Sequence, residues 1–532
     1  MSRAAAGRLL RGLVAVAALV GLAVLLEAVS VHAFAPDSDG ATVVLEGYAM
    51  GHGHAMLHNW GLSLDSFWTV DALWYLAGVT VAGLTPALAH AVPAAIAAAV
   101  VGMGVLIATE ERRGAAGVAA GATVVAILAF PSHALAIFLL RGPLHVGTVL
   151  WCLIAFYAMR RGRFGWGFVA AVVLLAAGML GDLQALALGV VPLALSGLTA
   201  AGRTRDWRQG VPLVAAAGSA VILAELVRTI ARAIGSFSIA GANPTSTLHQ
   251  MVLNLKHGVH EGALLMGVGS SYYGLGGEPV ALSYTHVLAI LVVLAALAGT
   301  AWSVVWGTAT GRPTVVGTST KAAWRLDDML VFATFASPAT FVLLATAPDP
   351  AYARYLTAGV IFGAVLAGRV VGRVAQDLEW RSLARIGAGI GLAAIGCFAA
   401  GTIIEITEPA PPTPASALAS FLEAHHLRDG IGAYWSASVT TLESHGEVDV
   451  RPVVAPGGRL YRYDRNSAAY WYREPFRFLV FQPGAPWGSV DESSAAASFG
   501  PPTATYEVAG YEVMVWDHVL VIPRRPSAQA AR

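Results

Sequence analysis

The chain has 532 residues, of which 56% are hydrophobic and only 12% are charged, and its mean hydropathy is +0.64. Soluble domains carry about 25% charged residues, so this composition excludes a soluble protein of this size. The formal net charge of +1 provides neither a basic surface for a nucleic acid nor an acidic tail for a basic partner. Both cysteines, Cys152 and Cys397, lie in apolar runs, which excludes a disulfide framework.

The first apolar run extends from Leu13 to Ala33 and follows a short arginine-containing stretch. Its length approaches the roughly 20 residues that cross a bilayer, so we interpret it as a retained first span. The alternative is a signal peptide, because Ala33-Phe34-Ala35 resembles a cleavage site between small residues. In both cases the chain from Asp37 onward begins outside the cytoplasm.

About ten further apolar runs of spanning length follow, so we predict a polytopic α-helical membrane protein with about 11 spans. The segment from Leu73 to Leu84 is shorter, and counting it as a span would move the next arginine pair to the outside. We therefore interpret it as an external helix that lies against the membrane. The later spanning runs are centred near Ala98, Val124, Leu150, Leu174, Val190, Ala220, Leu294, Phe335, Val365 and Leu392.

Arginine-rich clusters predict the orientation, because Lys and Arg are retained on the cytoplasmic side. If the N-terminus is in the cytoplasm and the chain crosses the membrane about eleven times, every cluster lies in the cytoplasm and the C-terminus lies outside. We therefore expect a multi-pass protein of the plasma membrane. The clusters are Arg112-Arg113, Arg160-Arg161-Arg163, Arg203-Arg205-Arg208, Lys321-Arg325 and the segment from Arg369 to Arg385.

Composition divides the chain into a membrane module, residues 1–408, with external loops at 34–90 and 236–284, and a C-terminal extracytoplasmic domain, residues 416–532. The proline-rich segment 409–415 is a stiff linker between them. The pattern of the last part predicts a small α+β domain. Its predicted elements are a helix from Ser416 to His426 with Ser416 as N-cap and strands from Val448 to Val454, Phe476 to Phe481 and Glu512 to Val521.

Ionisable side chains at the outer face of the membrane are candidate functional residues, because such groups cost free energy there. The alternatives are snorkelling side chains at Arg141 and Arg354 and an interfacial helix end at Arg228 and Arg232. In the C-terminal domain, Tyr434-Trp435 and Tyr470-Trp471-Tyr472 could stack on a glycan or pack in the core. The candidates for phosphate or substrate binding are Arg141, His145, Asp182, Arg228, Arg232 and Arg354.

Acidic residues Asp37 and Asp39 follow the first span directly. Carboxylates at the membrane surface can bind a metal or act as a general base on a hydroxyl. Asp39 could instead be the N-cap of a helix over residues 41–50. His54 and His58 are four residues apart and, with Asp39, are weak candidate ligands for a divalent cation, since the same pattern fits interfacial histidines.

These segments resemble the GT-C superfamily of integral membrane glycosyltransferases. The likeness lies in Asp37-Ser38-Asp39-Gly40 after the first span, with Glu46 in the following helix, and in the external helix Asp71-Ala72-Leu73-Trp74-Tyr75. The turn Ala353-Arg354-Tyr355-Leu356 is similar to the Arg-Tyr-Leu signature of the protein-mannosyltransferase and aminoarabinose-transferase branch. An extracytoplasmic C-terminal domain is also common in the superfamily.

The resemblance implies a GT-C-like fold and an enzyme that takes a sugar from a polyprenyl-phosphate donor on the extracytoplasmic face. It implies a catalytic carboxylate at Asp39, and Asp37 stays open because the family often has Asp-Glu where this chain has Asp39-Gly40. Arg354 and Tyr355 would bind the carrier phosphate, and single displacement would invert the sugar. The acceptor would be a glycan, a lipid or a protein. Rival interpretations are a transporter or flippase of a lipid-linked substrate and a non-catalytic scaffold.

Overall fold

The computed structural model describes residues 3–239, 245–268, 280–310, 321–344, 350–377, 381–485 and 488–525. Residues 240–244 and 269–279 of the predicted second loop, and Pro348 and Asp349 before Arg354, lie outside the described residues. The chain forms two compact units. We call Met1–Ala33, Pro93–Val227 and Asn243–Ala410 the bundle unit, and Phe34–Val92, Arg228–Ala242 and Pro411–Arg532 the sheet unit.

Helices dominate the chain before the C-terminal domain, because backbone polar groups within a bilayer must be satisfied inside their own segment. They are α1 (Arg3–Ala33), α2 (Ser38–Gly51), α3 (Ala72–Ala82), α4 (Leu88–Ala108), α5 (Gly114–Leu128), α6 (His133–Leu140), α7 (Val146–Met159), α8 (Trp166–Gly181), a π-helix (Leu186–Val190), α9 (Val191–Thr204), a 3-10 helix (Trp207–Gln209), α10 (Val211–Ala233), α11 (Leu248–Leu265), α12 (Val280–Thr310), α13 (Lys321–Leu343), a 3-10 helix (Pro350–Ala353), α14 (Arg354–Asp377) and α15 (Arg381–Thr407).

Eight helices among the described residues are long and apolar enough to cross a membrane, and α5 with α6 makes a ninth if the pair is one span. Helices α7 and α8 are apolar but only 14 and 16 residues long, which is shorter than a straight crossing requires. Every predicted spanning run lies on a helix, and the chain is a multi-pass membrane protein. The count of eleven spans is not confirmed.

The bend between α5 and α6 explains part of this difference. The two helices meet at 88° across a break that contains Pro131, which lacks the N–H needed to continue a helix. Ser132 then caps α6 by accepting the Leu135 N–H at 3.1 Å. A hydropathy pattern averages over such a break, so it predicts one straight span where the backbone turns.

The predicted arginine clusters are connected to one another within the bundle unit. Arg325 donates to the Arg161 carbonyl at 2.8 Å and to the Gln209 carbonyl at 3.1 Å, so it links three clusters. The predicted orientation requires the arginine clusters to lie at one end of the helices, as they do. That this end faces the cytoplasm stays a prediction. The accompanying ion pairs are Arg160 with Glu110 at 2.8 Å, Arg203 with Asp328 at 2.9 Å, Arg369 with Asp327 at 2.5 Å, and Arg373 with Asp327.

The C-terminal domain, within the sheet unit, has the α+β composition that the sequence predicts. Strands β1 (Trp60–Leu62) and β2 (Ser238–Ile239) precede the domain. The domain's helices are α16 (Pro414–Ala424), α17 (Tyr434–Glu443) and α18 (Glu492–Phe499), a 3-10 helix spans Ala469–Arg473, and its strands are β3 (Asp429–Ala433), β4 (Asp449–Val454), β5 (Tyr461–Arg462), β6 (Ser467–Ala468), β7 (Phe478–Phe481), β8 (Ala504–Val508) and β9 (Tyr511–Val515). Strand β3 lies parallel to β4 on one side and to β7 on the other, and α17 connects β3 to β4. The larger described sheet has six strands in the order β5-β4-β3-β7-β9-β8.

Two details of the C-terminal prediction are wrong. Helix α16 begins at Pro414 with Thr413 as its N-cap, so Ser416 is not the N-cap, because proline's fixed backbone angle suits a first helical turn. Strand β9 ends at Val515 and not at Val521. The division into a membrane module, a linker and a C-terminal domain stays a prediction.

The early loop and the C-terminal domain are joined within the sheet unit. Strand β1 pairs with β6 in antiparallel fashion, Trp60 opposite Ala468. Gly61 is required there, because a Cβ would lie 2.0 Å from the Asp464 carbonyl oxygen. Helix α2 packs on α3 and on α17, and the hydroxyls of Thr42 on α2 and Ser438 on α17 are hydrogen-bonded at 2.9 Å. This packing positions the start of α2.

Candidate active site

The two acidic residues after the first span have different roles at the start of α2. The Asp37 carboxylate accepts the Gly40 N–H at 2.9 Å and is the N-cap. The interpretation of Asp39 as an N-cap is therefore wrong, because the helix begins at Ser38 and not at Ala41. Asp39 lies in the first turn, where the helix dipole favours a negative charge.

Asp39 is hydrogen-bonded by a residue from the C-terminal domain. The Tyr434 hydroxyl donates to the Asp39 carboxylate, and the Asn466 amide donates to the Tyr434 oxygen at 3.0 Å. The Asn466 carbonyl accepts the backbone N–H of Ser63 at 3.1 Å. Tyr434 is only 3% exposed, and the ring of Tyr463 lies 5.0 Å from its ring. The site thus combines residues from distant parts of the sequence.

Burial favours the neutral forms of three titratable side chains near the start of α2, those of Tyr434, Tyr463 and Glu46. Burial, and then the charge of Asp39, raises the pKa of Tyr434 well above its ordinary value. Burial likewise raises the pKa of Tyr463 to about 12 and raises the pKa of Glu46 far above its usual range. Among the described residues, Glu46 Oε2 has no hydrogen-bond partner. Tyr434 is therefore a hydrogen-bond donor at neutral pH, and Glu46 is a neutral acid.

The histidines predicted as metal ligands do not share a helix face. Helix α2 ends at Gly51, so residues 52–58 form turns. His54 stacks on Tyr470 with ring centroids 5.3 Å apart, and His58 Nδ1 bonds to the Gly235 carbonyl at 2.6 Å. Within the described ranges, Asp39, His54 and His58 do not form a group whose ligand atoms lie within 4.8 Å of one another. These residues do not fit a shared cation.

A second polar cluster lies in the bundle unit between α7 and α8. Asp182 follows the end of α8, and its carboxylate accepts from His145 Nδ1 at 2.8 Å and from the Thr148 hydroxyl at 2.5 Å. Its other oxygen accepts the Gln184 N–H at 2.8 Å. Because an ionised carboxylate only accepts, His145 donates through Nδ1. Asp182 thereby sets the orientation of the imidazole, and both side chains are buried.

Arg354 and Tyr355 begin α14 beside this cluster. The Tyr355 ring lies 5.1 Å from the His145 ring, and the Arg354 guanidinium lies 5.3 Å from the centroid of Tyr355 and 5.1 Å from that of Tyr352. The aromatic faces favour the cation. Four of the predicted phosphate or substrate residues thus lie together in the bundle unit, namely His145, Asp182, Arg354 and Tyr355.

The remaining predicted cations lie at helix ends. Arg141 is the C-cap of α6 and is half-buried. Arg228 and Arg232 lie on the last turns of α10, four residues apart as the sequence predicts. Arg228 is half-buried and Arg232 is exposed. The roles assigned to these three arginines stay predictions.

Sequence reasoning missed the role of Tyr434 and did not select Asn466. Of the two alternatives for Tyr434, its burial excludes stacking on a glycan. Trp471 and Tyr472 are also buried, and Arg451 lies 4.6 Å over the Trp471 ring, so core packing is the correct interpretation for both. Tyr434 is 395 residues from Asp39, and no local pattern connects positions so far apart.

Comparisons with known proteins extend this description to the whole chain. No protein-family model matches it, and no curated protein is a significant match. The chain is similar to the crystal structure of ArnT from Cupriavidus metallidurans in the apo state, with a TM-score of 0.52 and 13% identity over 94% of this chain and 97% of that chain. The chain has a GT-C fold. The expected resemblance is thus confirmed at the level of fold.

A second similar structure is the oligosaccharyltransferase of Archaeoglobus fulgidus in a complex with zinc and sulfate. Its TM-score is 0.45 and its identity is 10%, over 87% of this chain and 68% of that one. Both similar structures are GT-C membrane glycosyltransferases. Since a fold of this kind can carry several functions, the site must supply the functional argument.

Proposed function

We propose that the protein is a membrane glycosyltransferase that transfers a sugar from a polyprenyl-phosphate donor to a cell-envelope acceptor. The observation that carries this proposal is the site at the start of α2, where Asp39 follows α1 and accepts a hydrogen bond from Tyr434, in a chain that has the fold of ArnT. The acceptor is a glycan, a lipid or a protein that offers a hydroxyl on the extracytoplasmic side. The proposed location is the plasma membrane, with the C-terminal domain outside.

Asp39 is the proposed general base. It takes the proton of the acceptor hydroxyl as that oxygen attacks the anomeric carbon, and single displacement inverts the sugar. Asp37 is the weaker candidate, because its carboxylate caps α2 through the Gly40 N–H. The neutral hydroxyl donor from Tyr434 supports the assignment, since such a bond favours the ionised carboxylate without neutralising its charge.

The carrier phosphate is proposed to bind the polar cluster of the bundle unit. Arg354 supplies a cation beside Tyr355, and a guanidinium can bind two phosphate oxygens at once. His145, which is oriented by Asp182 and lies beside Tyr355, is a second proposed contact for the phosphate. Positive charges stabilise phosphate as a leaving group. Arg141 is a further proposed contact for the phosphate in this unit, whereas Arg228 and Arg232, which belong to the sheet unit, stay candidates for substrate binding.

The test is sugar transfer by purified full-length protein from a panel of labelled synthetic polyprenyl-phosphate sugars to cell-envelope acceptors. Asp39→Asn should lower transfer by roughly 10²–10⁴-fold, the usual contribution of a general base. Asp37→Asn is the matched control, because asparagine also caps a helix, and its loss should be milder. Equal product from wild type and Asp39→Asn would remove Asp39 from the mechanism. No product from folded wild type on any donor would favour a transporter.

A further inference from the structure

We propose that Tyr434 and Asn466 are positioning residues that hold the Asp39 carboxylate in the orientation in which it accepts the proton of the acceptor hydroxyl. This inference rests on the proposed function, in which Asp39 is the general base. It gives the C-terminal domain a part in the reaction itself, through one chain of hydrogen bonds from Ser63 to Asp39.

The direction of each hydrogen bond in this chain is determined. The backbone N–H of Ser63 can only donate, so it selects the carbonyl oxygen of Asn466, at 3.1 Å. The Asn466 amide nitrogen must then face the Tyr434 oxygen, at 3.0 Å, and it donates there. The hydroxyl proton of Tyr434 is thereby directed to Asp39. If the Asn466 amide were inverted, its NH2 group would face the Ser63 N–H, donor against donor. The series of hydrogen bonds from Ser63 to Asp39 therefore has one stable direction.

Both ends of this chain are held by regular structure. Ser63 directly follows β1, which pairs with β6 through Trp60 and Ala468. Tyr434 begins α17, which packs on α2, where Val439 N–H donates to the Ser38 hydroxyl at 3.4 Å. Packing therefore fixes the distance between the backbones at Ser63 and Tyr434. The side chains of Asn466 and Tyr434 bridge the space from Ser63 to Asp39.

Several charged or titratable groups lie around the start of α2 besides Tyr434. A charged carboxylate nearby opposes the ionised form of Asp39, and a neutral Glu46 does not, whereas the Arg465 guanidinium, which is hydrogen-bonded to Tyr463, favours it. The Tyr434 bond favours it as well. Asp37 precedes α2 and Glu46 lies on it, while Asp71 precedes α3 and Tyr75 lies on it. Tyr463 and Arg465 follow β5.

The proton and electron balance of the proposed step is complete without a further reactant. The acceptor O–H bond breaks and its proton moves to the Asp39 carboxylate. The acceptor oxygen forms a bond to the anomeric carbon, while the bond from that carbon to the carrier phosphate oxygen breaks and leaves its electron pair on the phosphate. Tyr434 keeps its own proton throughout, because burial and the charge of Asp39 disfavour its ionisation.

The experiment is the pH profile of kcat/KM for Tyr434→Phe, with the labelled polyprenyl-phosphate sugar that wild type uses. Loss of the hydroxyl removes a bond to the ionised carboxylate, so the acid limb should move to higher pH by about one unit. On that limb kcat/KM should fall roughly tenfold, and the loss should shrink at higher pH. Asn466→Ala should shift the limb in the same direction by less.

Tyr472→Phe is the matched control. It also removes a buried tyrosine hydroxyl in the sheet unit, one that donates to the Pro452 carbonyl at 2.6 Å. Its acid limb should stay where it is in wild type, because this hydroxyl does not bond Asp39. Should Tyr434→Phe fail to fold, Asn466→Ala carries the test, since it leaves the tyrosine ring in place.

The outcomes separate this inference from the proposed function. If the acid limb does not move in Tyr434→Phe, the positioning role is overturned, and Asn466→Ala decides in the same way if Tyr434→Phe does not fold. The proposed function survives that result as long as Asp39→Asn is impaired. An equal shift in Tyr472→Phe also overturns the positioning role, because the effect would then be one of packing. If Asp39→Asn is fully active, or if wild type transfers no sugar, the proposed function fails and this inference fails with it.

Discussion

Asp327 in the bundle unit and Asp39 in the sheet unit have hydrogen-bond partners of different kinds. In the bundle unit, Asp327 is paired with two guanidinium groups, those of Arg369 and Arg373. In the sheet unit, Asp39 accepts a hydrogen bond from the neutral hydroxyl of Tyr434. A carboxylate between two cations is held as an anion and is a poor proton acceptor, whereas a neutral donor orients a carboxylate without neutralising it. The partners thus separate Asp327, a structural acid, from Asp39, the proposed base.

Asp328 of the bundle unit and Glu46 of the sheet unit are both buried, but they differ in their partners. Asp328 pairs with Arg203 at 2.9 Å. Glu46 is 2% exposed and stays neutral, with one oxygen that has no hydrogen-bond partner among the described residues. Burial of such a group costs free energy. Glu46 on α2 is therefore a buried acid without a compensating charge, and strongly perturbed acids of this kind cluster at functional sites.

The largest expected effect on stability is in the bundle unit. Arg369→Ala removes one of the two cations that pair with the buried Asp327. Breaking a buried ion pair lowers the free energy of unfolding by about 3–5 kcal/mol. Thermal unfolding in detergent should report this loss, while transfer per folded molecule stays near that of wild type. The double variant Arg369→Ala with Asp327→Asn should recover part of the stability. A double variant less stable than Arg369→Ala would argue against the pairing.

The next effect concerns a bundle arginine assigned to function. Arg354 lies against the rings of Tyr352 and Tyr355, and Arg354→Ala should lower transfer by roughly 10²-fold, as for loss of one group that stabilises developing charge. Arg354→Lys keeps the charge but loses the planar fork, so it should be less impaired without full recovery. Normal rates in both variants would identify Arg354 as a snorkelling residue.

The smallest effect is a pH dependence of stability at Glu46. Burial raises the pKa of Glu46 in the folded state above the ordinary value of 4.5, so the folded state holds a proton that the unfolded state releases. Stability from this group is complete below that ordinary value and is lost as pH rises towards the raised pKa, by up to about 1.4 kcal/mol per pH unit.

Glu46→Gln removes this titration and preserves the shape of the side chain. Relative to wild type, the variant should therefore gain stability between pH 4.5 and pH 7, as measured by unfolding midpoints at several pH values. Asp491→Asn is a surface control, since Asp491 is an exposed N-cap of α18. A constant difference between Glu46→Gln and wild type across this range would mean that Glu46 is ionised in the fold.

Local composition was sufficient to predict the class of protein and much of its outline. Apolar runs predicted the helices around Ala98, Leu150 and Val365, because spanning segments must be apolar and must satisfy their own backbone. Strand β4 was predicted from its β-branched pattern, and the acidic pair after α1 was recognised as a candidate site. Each of these properties depends on residues that are close in sequence.

The tertiary structure decided which of those residues act together. In the fold Asp37 caps α2, whereas Asp39 accepts a hydrogen bond from the hydroxyl of Tyr434. The sequence alone does not distinguish the two aspartates. The tertiary structure also gave Asn466 a place in the site. Hydrogen-bond partners are chosen by packing between segments hundreds of residues apart, and composition and periodicity carry no information about such a distance. For this reason the sequence determined the candidates, and only the fold distinguished a helix cap from a proposed base.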